Sequence, residues 1–466
     1  MNAVSDLNRA VIIGVVVTDR VASLERLLAS LRPVDSDENV HVIVLDNGRQ
    51  PSGIDSLVGE ADARAAGRRA CVTNNNVRAP LHQTRVGLSH RIWDLTRKWS
   101  ISDPIVWMVD DDVTFDRLQM LDGKLVRRNA ARQRIDAVRS LGARNRCDLL
   151  VSGFTGDAPV RPNSVISRQL SDLTAELERL NETDPTEEYH QACVEPRQYR
   201  GDYYYSHSQE CAAQWRKPYP WLVRPEAGPT VADQLARILQ EARGIEFGRG
   251  VFRPLIEEQP LDSLEVVDSQ TPNRGGNAVF FGVDSLLAHP YPSFRVGDGF
   301  SRRSDMIGSS ILARNSDYRV AEGNLSIYHD RRDQNPITAH PREWRREFAG
   351  VLFARMVMRG IPSGLSAKQH LRCLAKARAQ RIYEDANLVR IRAQRALSRL
   401  ERTTAWWWRD ENCRPRAHAL KASLIRIQST FQKAHRQRTF DALVTRELLG
   451  KVLSAYRTLE ETWSIP

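Results

Sequence analysis

Apolar and polar residues form alternating blocks over residues 10–115, and these blocks predict strands and helices in turn. The predicted strands cover 11–17, 40–45, 70–73 and 105–109, each followed by turn residues or by a polar segment. Apolar residues at helical spacing predict helices over 22–31 and 84–98. This order is typical of an α/β fold with a mostly parallel sheet and helices on both faces.

The pattern becomes irregular after residue 115. We expect a basic helical insertion over 117–141, a strand over 148–153, a helix over 166–180 and long loops over 183–228. Regular structure returns with a strand at 278–283, a helix at 305–314 and a strand at 324–328. From residue 341 onward the pattern is almost entirely helical, and it includes the run Trp406-Trp407-Trp408. That run suits either a membrane interface or a buried contact between helices.

Three consecutive aspartates close the apolar strand at 105–109. Asp110, Asp111 and Asp112 would repel one another and lose hydration at the end of a buried strand. A divalent cation with a preference for oxygen ligands, Mg²⁺ or Mn²⁺, would compensate them, and such ions commonly bind substrate phosphates as well. The alternative is an acidic turn that is open to water.

Other polar residues follow the neighbouring strands. Asp19, Asp46 and Asn76 come after the first three predicted strands. Ligands of parallel α/β sheets bind beyond the carboxyl ends of the strands. We therefore expect these residues to converge with the aspartate triplet at one edge of the sheet.

Composition narrows the class of protein. The chain has 466 residues with 41% hydrophobic residues, and its six cysteines are scattered without CxxC spacing, which argues against zinc sites and a disulfide framework. Neither a membrane-spanning run nor a signal peptide is predicted, so the expected location is cytoplasmic. Residues 341–466 carry 26 Lys and Arg against 11 Asp and Glu. This basic segment suits an anionic partner or a solvated helical surface.

The ordered motifs resemble the GT-A fold of family-2 nucleotide-sugar glycosyltransferases. The family's first motif appears as VVVTDR at 15–20, with Asp19 where the family has Asn, and its second as VLDNG at 44–48. Asn76 and Arg85 keep the spacing of a third motif, although its glycines are replaced. The aspartate triplet, a Gly-Gly-Asn strand start at 275–277, an acidic helix start and a late histidine follow in order. The resemblance covers about 10–115 and 270–335, and is closest to DDD-motif, galactofuranosyltransferase-like members.

The resemblance also implies roles for individual residues. It implies that Asp110, Asp112 and His329 bind the metal, with Asp112 as the closest ligand. The donor-binding residues it implies are Asp19, Asp46, Asn76, Arg85, Asp110 and Asp111. The expected general base is Asp305, with Asp298 as the second choice.

These inferences together predict a glycosyltransferase that depends on Mn²⁺ or Mg²⁺. It would move a sugar from a nucleotide-diphosphate sugar, with a UDP-sugar favoured, to an acceptor hydroxyl and would invert the anomeric centre. The catalytic domain is expected over 1–340, with a donor half at 10–115, an insertion at 116–270 and an acceptor half at 271–340. A basic helical domain at 341–466 could contact an anionic membrane at the inner face or mediate homo-oligomerisation.

Two alternatives belong to other classes. A nucleotidyltransferase can share the sheet and the metal chemistry, but residues 17–22 lack the glycine that its phosphate-binding loop usually has. A nucleic-acid-binding protein could use the basic C-terminal helices, although it would leave the aspartate triplet and His329 without a role.

Overall fold

The structure is a computed structural model. It describes residues 8–48, 52–73, 79–121, 124–143, 147–157, 163–189, 221–222, 230–257, 266–269, 272, 276–333, 341–436 and 443–463. Asn76, Gly275 and the Tyr203–Tyr205 run, a candidate sugar-stacking surface, lie outside these residues.

A nine-stranded mixed sheet forms the centre of the fold. Its strands are β1 (Val11–Val17), β2 (Val40–Asp46), β3 (Arg69–Thr73), β4 (Ile105–Asp110), β5 (Val113–Thr114), β8 (Leu149–Gly156), β9 (Val266–Asp268), β10 (Asn277–Phe280) and β13 (Val320–His329). Two small hairpins lie apart from it, β6 (Asp116–Leu121) with β7 (Lys124–Asn129), and β11 (Arg295–Val296) with β12 (Gly299–Phe300).

The strand order is β3-β2-β1-β4-β10-β8-β13-β5, with β9 paired to β13. Strands β1 to β4 run parallel, β10 lies antiparallel between β4 and β8, and β13 runs parallel to β8. Six strands therefore point the same way, which confirms the mostly parallel α/β sheet. The carboxyl ends of β1, β2, β4, β8 and β13 consequently share one edge.

Helices cover both faces of this sheet. The helices in chain order are α1 (Val21–Ser30), α2 (Ile54–Asp62), α3 (Leu81–Lys98), α4 (Ala131–Ala143), α5 (Asn163–Asn181), α6 (Val231–Glu241), α7 (Val283–Ala288), α8 (Ser304–Leu312), α9 (Pro341–Arg359), α10 (Ala367–Leu400), α11 (Cys413–Arg436) and α12 (Arg446–Trp463). Leucines of α1 pack with Val11, Ile13 and Val15 of β1, whereas Leu88 of α3 packs with Ile12 on the other face. The period of two along β1 accounts for this division.

The prediction of a helix over 117–141 was wrong in its first half. Residues 116–129 form the β6–β7 hairpin, and the helix α4 begins only at Ala131. Leu121 pairs with Lys124 and encloses Asp122-Gly123, a dipeptide that is typical of two-residue hairpin turns. The basic composition of the segment concealed this turn signal.

The strand at 278–283 is also shorter than predicted, because residues from Val283 onward form α7. Asn277 at its start is fully buried, and its side chain connects three neighbouring strands. Its Nδ2 donates to the carbonyls of Gly153 and Leu325 at 2.8 and 3.0 Å, and its Oδ1 accepts from Trp107 Nε1 at 2.7 Å. Asn277 therefore ties β4, β8 and β13 together beside the carboxyl-end edge.

The C-terminal residues are helical, as predicted, and they share a core with helices of the insertion. Buried residues of α5 and α6 pack with those of α9 to α12 in one cluster. Trp407 lies fully inside this cluster and donates to the Leu400 carbonyl at 3.1 Å. Trp406 and Trp408 donate to the carbonyls of Leu180 and Leu400. The tryptophan run is thus a packing element between helices.

No helix among the described residues combines the length and the apolar composition needed to cross a membrane. Peripheral contact of 341–466 with an anionic membrane, and homo-oligomerisation, stay predictions.

Candidate functional site

Side chains from three strand ends meet at the carboxyl-end edge of the sheet. Asp110 ends β4, and Asp111 and Asp112 follow it, while His329 ends β13 next to β8. Arg20 follows β1. The parallel strands bring these residues together because their carboxyl ends face the same way.

Arg20 neutralises part of the aspartate triplet. Its Nη1 donates to Asp111 Oδ1 at 2.9 Å and to Asp112 Oδ2 at 3.1 Å. Burial, together with Asp112, nevertheless raises the pKa of Asp111 to about 7. Burial also raises the pKa of Asp110, as do the neighbouring Asp112 and Asp305. A further cation at this site would therefore stabilise the charged forms of Asp110 and Asp111.

His329 is oriented as a metal-binding histidine would be. Its Nδ1 lies 2.9 Å from the main-chain carbonyl of Asp157, which favours the tautomer with hydrogen on Nδ1. Nε2 is then free to accept, and it lies 3.4 Å from Asp112 Oδ1. Burial alone would raise the pKa of Asp112, but the protonated form of His329, Arg20 and Arg331 outweigh it and lower this pKa. The neutral form of His329, with Nε2 unprotonated, is the one that could bind a cation.

These residues fit a divalent cation in chemistry. Adjacent ligands of an octahedral ion with bonds of about 2.1 Å lie about 3 Å apart, which is close to the separation of Asp112 Oδ1 and His329 Nε2. Among the described residues, no three His, Cys, Asp or Glu side chains are already grouped to hold a metal. Mg²⁺ and Mn²⁺ sites often use few protein ligands and complete the shell with water and phosphate oxygens. Ligation by Asp112 and His329 stays a prediction on this basis, as does ligation by Asp110.

Arg85 of α3 connects the triplet to the candidate base. Its Nη2 donates to Asp110 Oδ1 at 2.5 Å, and its Nη1 lies 3.1 Å from Asp305 Oδ2 in the first turn of α8. Burial would raise the pKa of Asp305, but Arg85 outweighs burial and lowers it, so this carboxylate is held ionised. Gly276 lies against the same aspartate: a Cβ there would stand 2.7 Å from Asp110 Oδ2.

The other predicted residues lie in different surroundings. Asp46 is buried and accepts hydrogen bonds from Gly48 N, at 2.8 Å, and from Ser52 Oγ, so it holds its own loop. Asp19 is exposed and lies across Gly48 from Asp46. Asp298 is exposed in the turn of the β11–β12 hairpin. Helix α8 begins one residue before the predicted start at 305, because Arg303 occupies the N-cap position and Ser304 is the first helical residue.

Sequence reasoning did not assign two residues of the site. Arg20 was part of the first motif, and its charge beside a strand end was a usable signal. The sequence offered no such signal for Asp157, whose carbonyl faces His329. Its position depends on the pairing of β8 with β13 and on hydrogen bonds that its carboxylate accepts from Gly250 N and Arg331 N.

No family model and no curated protein sequence matches the chain. Solved structures with partial similarity include the mannosyltransferase PcManGT from Pyrobaculum calidifontis in complex with GDP-Man and Mn²⁺, at 13% identity and a TM-score of 0.34, over 98% of this chain and 88% of that chain. Residues 1–349 of TarS from S. aureus align at 11% identity and a TM-score of 0.31, over 98% and 91% of the two chains. These similarities assign no activity to the chain, so its function has to be argued from the site.

Proposed function

We propose that the chain is a glycosyltransferase that uses a nucleotide-diphosphate sugar as donor and Mn²⁺ or Mg²⁺ as cofactor. The observation that carries the proposal is the group of Asp111, Asp112 and His329 with Arg20 at the carboxyl ends of β4, β13 and β1. Its closely spaced carboxylates suit a cation, and Arg20 and Arg85 beside the triplet suit phosphate oxygens. Such a combination binds a diphosphate through a shared metal ion.

The chemistry requires that a nucleoside diphosphate leaves with its electron pair. When bound at Asp112 and His329, the cation would act as a Lewis acid on the diphosphate oxygens. Arg20 contacts Asp111 and Asp112, Arg85 contacts Asp110, and both guanidinium groups would donate hydrogen bonds to those diphosphate oxygens. The two arginines would thereby balance the charge that develops on the leaving group.

On the acceptor side, Asp305 would remove the hydroxyl proton as the oxygen attacks the anomeric carbon. A new glycosidic bond then forms while the bond from that carbon to the diphosphate breaks, with inversion. Asp305 is paired with Arg85, which keeps it ionised but makes it a weak base. Movement of Arg85 towards the diphosphate would release Asp305 for this step, so donor binding would precede proton transfer.

A thermal-shift screen tests the donor site. UDP, GDP, CDP, TDP and ADP and their sugars are added with and without Mn²⁺ to the wild type, Asp112→Ala and Asp103→Ala. Asp103 is the matched control, because it is an exposed aspartate that precedes the amino end of β4 and pairs with Arg9.

We expect one nucleotide to raise the unfolding temperature of the wild type and of Asp103→Ala only with Mn²⁺, since a ligand that binds the native state stabilises it. Asp112→Ala should lose this shift. A wild type that responds to no nucleotide, or an Asp112→Ala variant that responds like the wild type, would refute the proposal.

A further inference from the structure

An arginine cluster surrounds a single glutamate next to the first turn of α8. Its members are Arg302 and Arg303, which precede α8, Arg355 of α9 and Arg378 of α10. Arg303 Nε donates to Glu347 Oε1 at 3.0 Å. Burial would raise the pKa of Glu347, but Arg303, Arg302 and Arg378 outweigh it and lower the pKa to about 2.

Two carboxylates, those of Glu347 and Asp385, act on these four guanidinium groups. Burial and the neighbouring Arg303 lower the pKa of Arg378 to about 10, and burial with Arg359 and Arg303 lowers that of Arg355. The Nε of Arg378 is buried, and within the described part of the chain it has no hydrogen-bond partner. Asp385 also acts on Arg378, but it lies 3.6 Å from Arg381. Neighbouring guanidinium groups that repel one another are unfavourable, the more so where they are partly buried, and an added anion would relieve this repulsion.

A cavity beside the carboxyl ends of β8 and β13 differs in this respect. This cavity of about 250 Å³ is lined by Arg127, Arg249 and Arg332 among others. Arg127 and Arg332 are each bonded to a carboxylate, Asp116 and Asp330, and Arg249 lies 4.0 Å from that of Asp157. The cavity therefore has no comparable surplus of positive charge.

The position of the arginine cluster relates it to the acceptor. Arg303 lies only two residues before Asp305, whose carboxylate contacts Arg85. The backbone of Arg302 is fixed against α9, because a Cβ at Gly350 would stand 2.4 Å from the Arg302 carbonyl oxygen. The Arg302 side chain itself is exposed, so the cluster can be reached from solvent.

We infer that the arginine cluster binds an anionic group, a phosphate or a carboxylate, carried by the acceptor. Guanidinium groups bind both anions through paired N–H donors. The assignment of this anion to an acceptor rests on the proposed function, whereas anion binding at the cluster does not. Binding there would anchor the acceptor beside the helix that carries Asp305 and select for negatively charged acceptors.

Inorganic phosphate is the probe, and it is titrated against Asp112→Ala, in which the donor site is disabled. Chloride keeps the ionic strength constant, and the unfolding temperature is measured. Arg302→Gln and Arg378→Gln are added to this background, with Arg372→Gln as the matched control. Arg372 is exposed on the same helix as Arg378.

We expect phosphate to raise the unfolding temperature with saturation. Arg302→Gln and Arg378→Gln should weaken the apparent affinity at least about tenfold, while Arg372→Gln should leave it unchanged. Equal responses in all variants, or no response in any, would overturn the inference. Arg302→Gln keeps the test valid if Arg378→Gln does not fold, because Arg302 is exposed.

A second arm identifies the source of the anion. A sugar monophosphate and a uronic acid are compared with free phosphate and with the neutral sugar on the same variants. Tighter binding of a sugar-linked anion than of free phosphate supports an acceptor, whereas tightest binding of free phosphate contradicts it. The Mn²⁺-dependent nucleotide shift of Arg302→Gln should persist, so a failure here leaves the proposed function standing.

Discussion

Substitution of Gly276 by alanine tests whether the backbone before β10 positions Asp110. Gly276 has a φ of +67°, and its added Cβ would stand 2.7 Å from Asp110 Oδ2. Gly297, in the turn between β11 and β12, has a φ of +62° but no heavy atom within 4 Å of its added Cβ. The two substitutions therefore share the conformational cost and differ in the contact with Asp110.

The left-handed conformation costs a non-glycine residue about 1–2 kcal/mol, which both variants should lose from the free energy of unfolding. Gly276→Ala must also displace Asp110 and weaken its hydrogen bond to Arg85, a charged interaction worth about 1.5–3 kcal/mol. Because Asp110 is about one third exposed, we take the lower part of that range. The expected total is about 2–4 kcal/mol for Gly276→Ala and about 1–2 kcal/mol for Gly297→Ala.

Urea denaturation measures the stability, and calorimetric titration with the nucleotide found in the screen measures binding with Mn²⁺. We expect Gly276→Ala to bind about tenfold more weakly, the equivalent of one lost hydrogen bond, and Gly297→Ala to bind like the wild type. Equal nucleotide affinities for the two folded variants would refute the idea that Gly276 positions Asp110 for the donor.

Three further substitutions, two of them paired with a control variant, test the sheet, the site and the helical core. Asn277→Ala should lower the free energy of unfolding by about 3–5 kcal/mol, because it leaves the groups that bonded Asn277 unpaired in the core; a loss below about 1 kcal/mol in urea denaturation would contradict this. Asp305→Asn should lower kcat by about 10²–10⁴ with unchanged donor affinity, whereas Asp298→Asn should have the kcat of the wild type. The reverse result would identify Asp298, in the β11–β12 hairpin, as the general base. Trp407→Ala should lower the free energy of unfolding by about 3–5 kcal/mol, and Trp463→Ala, at an exposed residue, by less than about 0.5 kcal/mol. Vesicle binding should be unchanged in both variants; its loss in Trp407→Ala would support a membrane role for the tryptophan run.

Local patterns were sufficient for the strands that carry the site. β1 coincides with its predicted range, and β2, β3 and β4 differ from prediction by one residue at one end. These strands are apolar and are bounded by polar turns, so their extent is decided by neighbouring residues. The aspartate triplet was also visible, because its position after an apolar run needs no tertiary information.

The hairpin at 116–129 shows where local reasoning failed. Its basic residues suggested a helix, while the Asp-Gly dipeptide at 122–123 favoured a hairpin. The paired residues lie 3 to 13 positions apart, so most of them fall outside the spacing of three or four that a helical pattern samples. The tryptophan run presented a similar ambiguity, and packing against Leu180 and Leu400 resolved it in favour of an internal contact.

The sequence by itself determined the α/β order, the helical C-terminal region and which strand ends carry charged residues, since each follows from contiguous segments. Only the tertiary structure decided that Arg20 bridges Asp111 and Asp112, that Asp157 orients His329, and that Arg85 joins Asp110 to Asp305. These contacts connect residues that the chain separates by tens to hundreds of positions. Their charges meet only because six strands point in the same direction and end at one edge of the sheet.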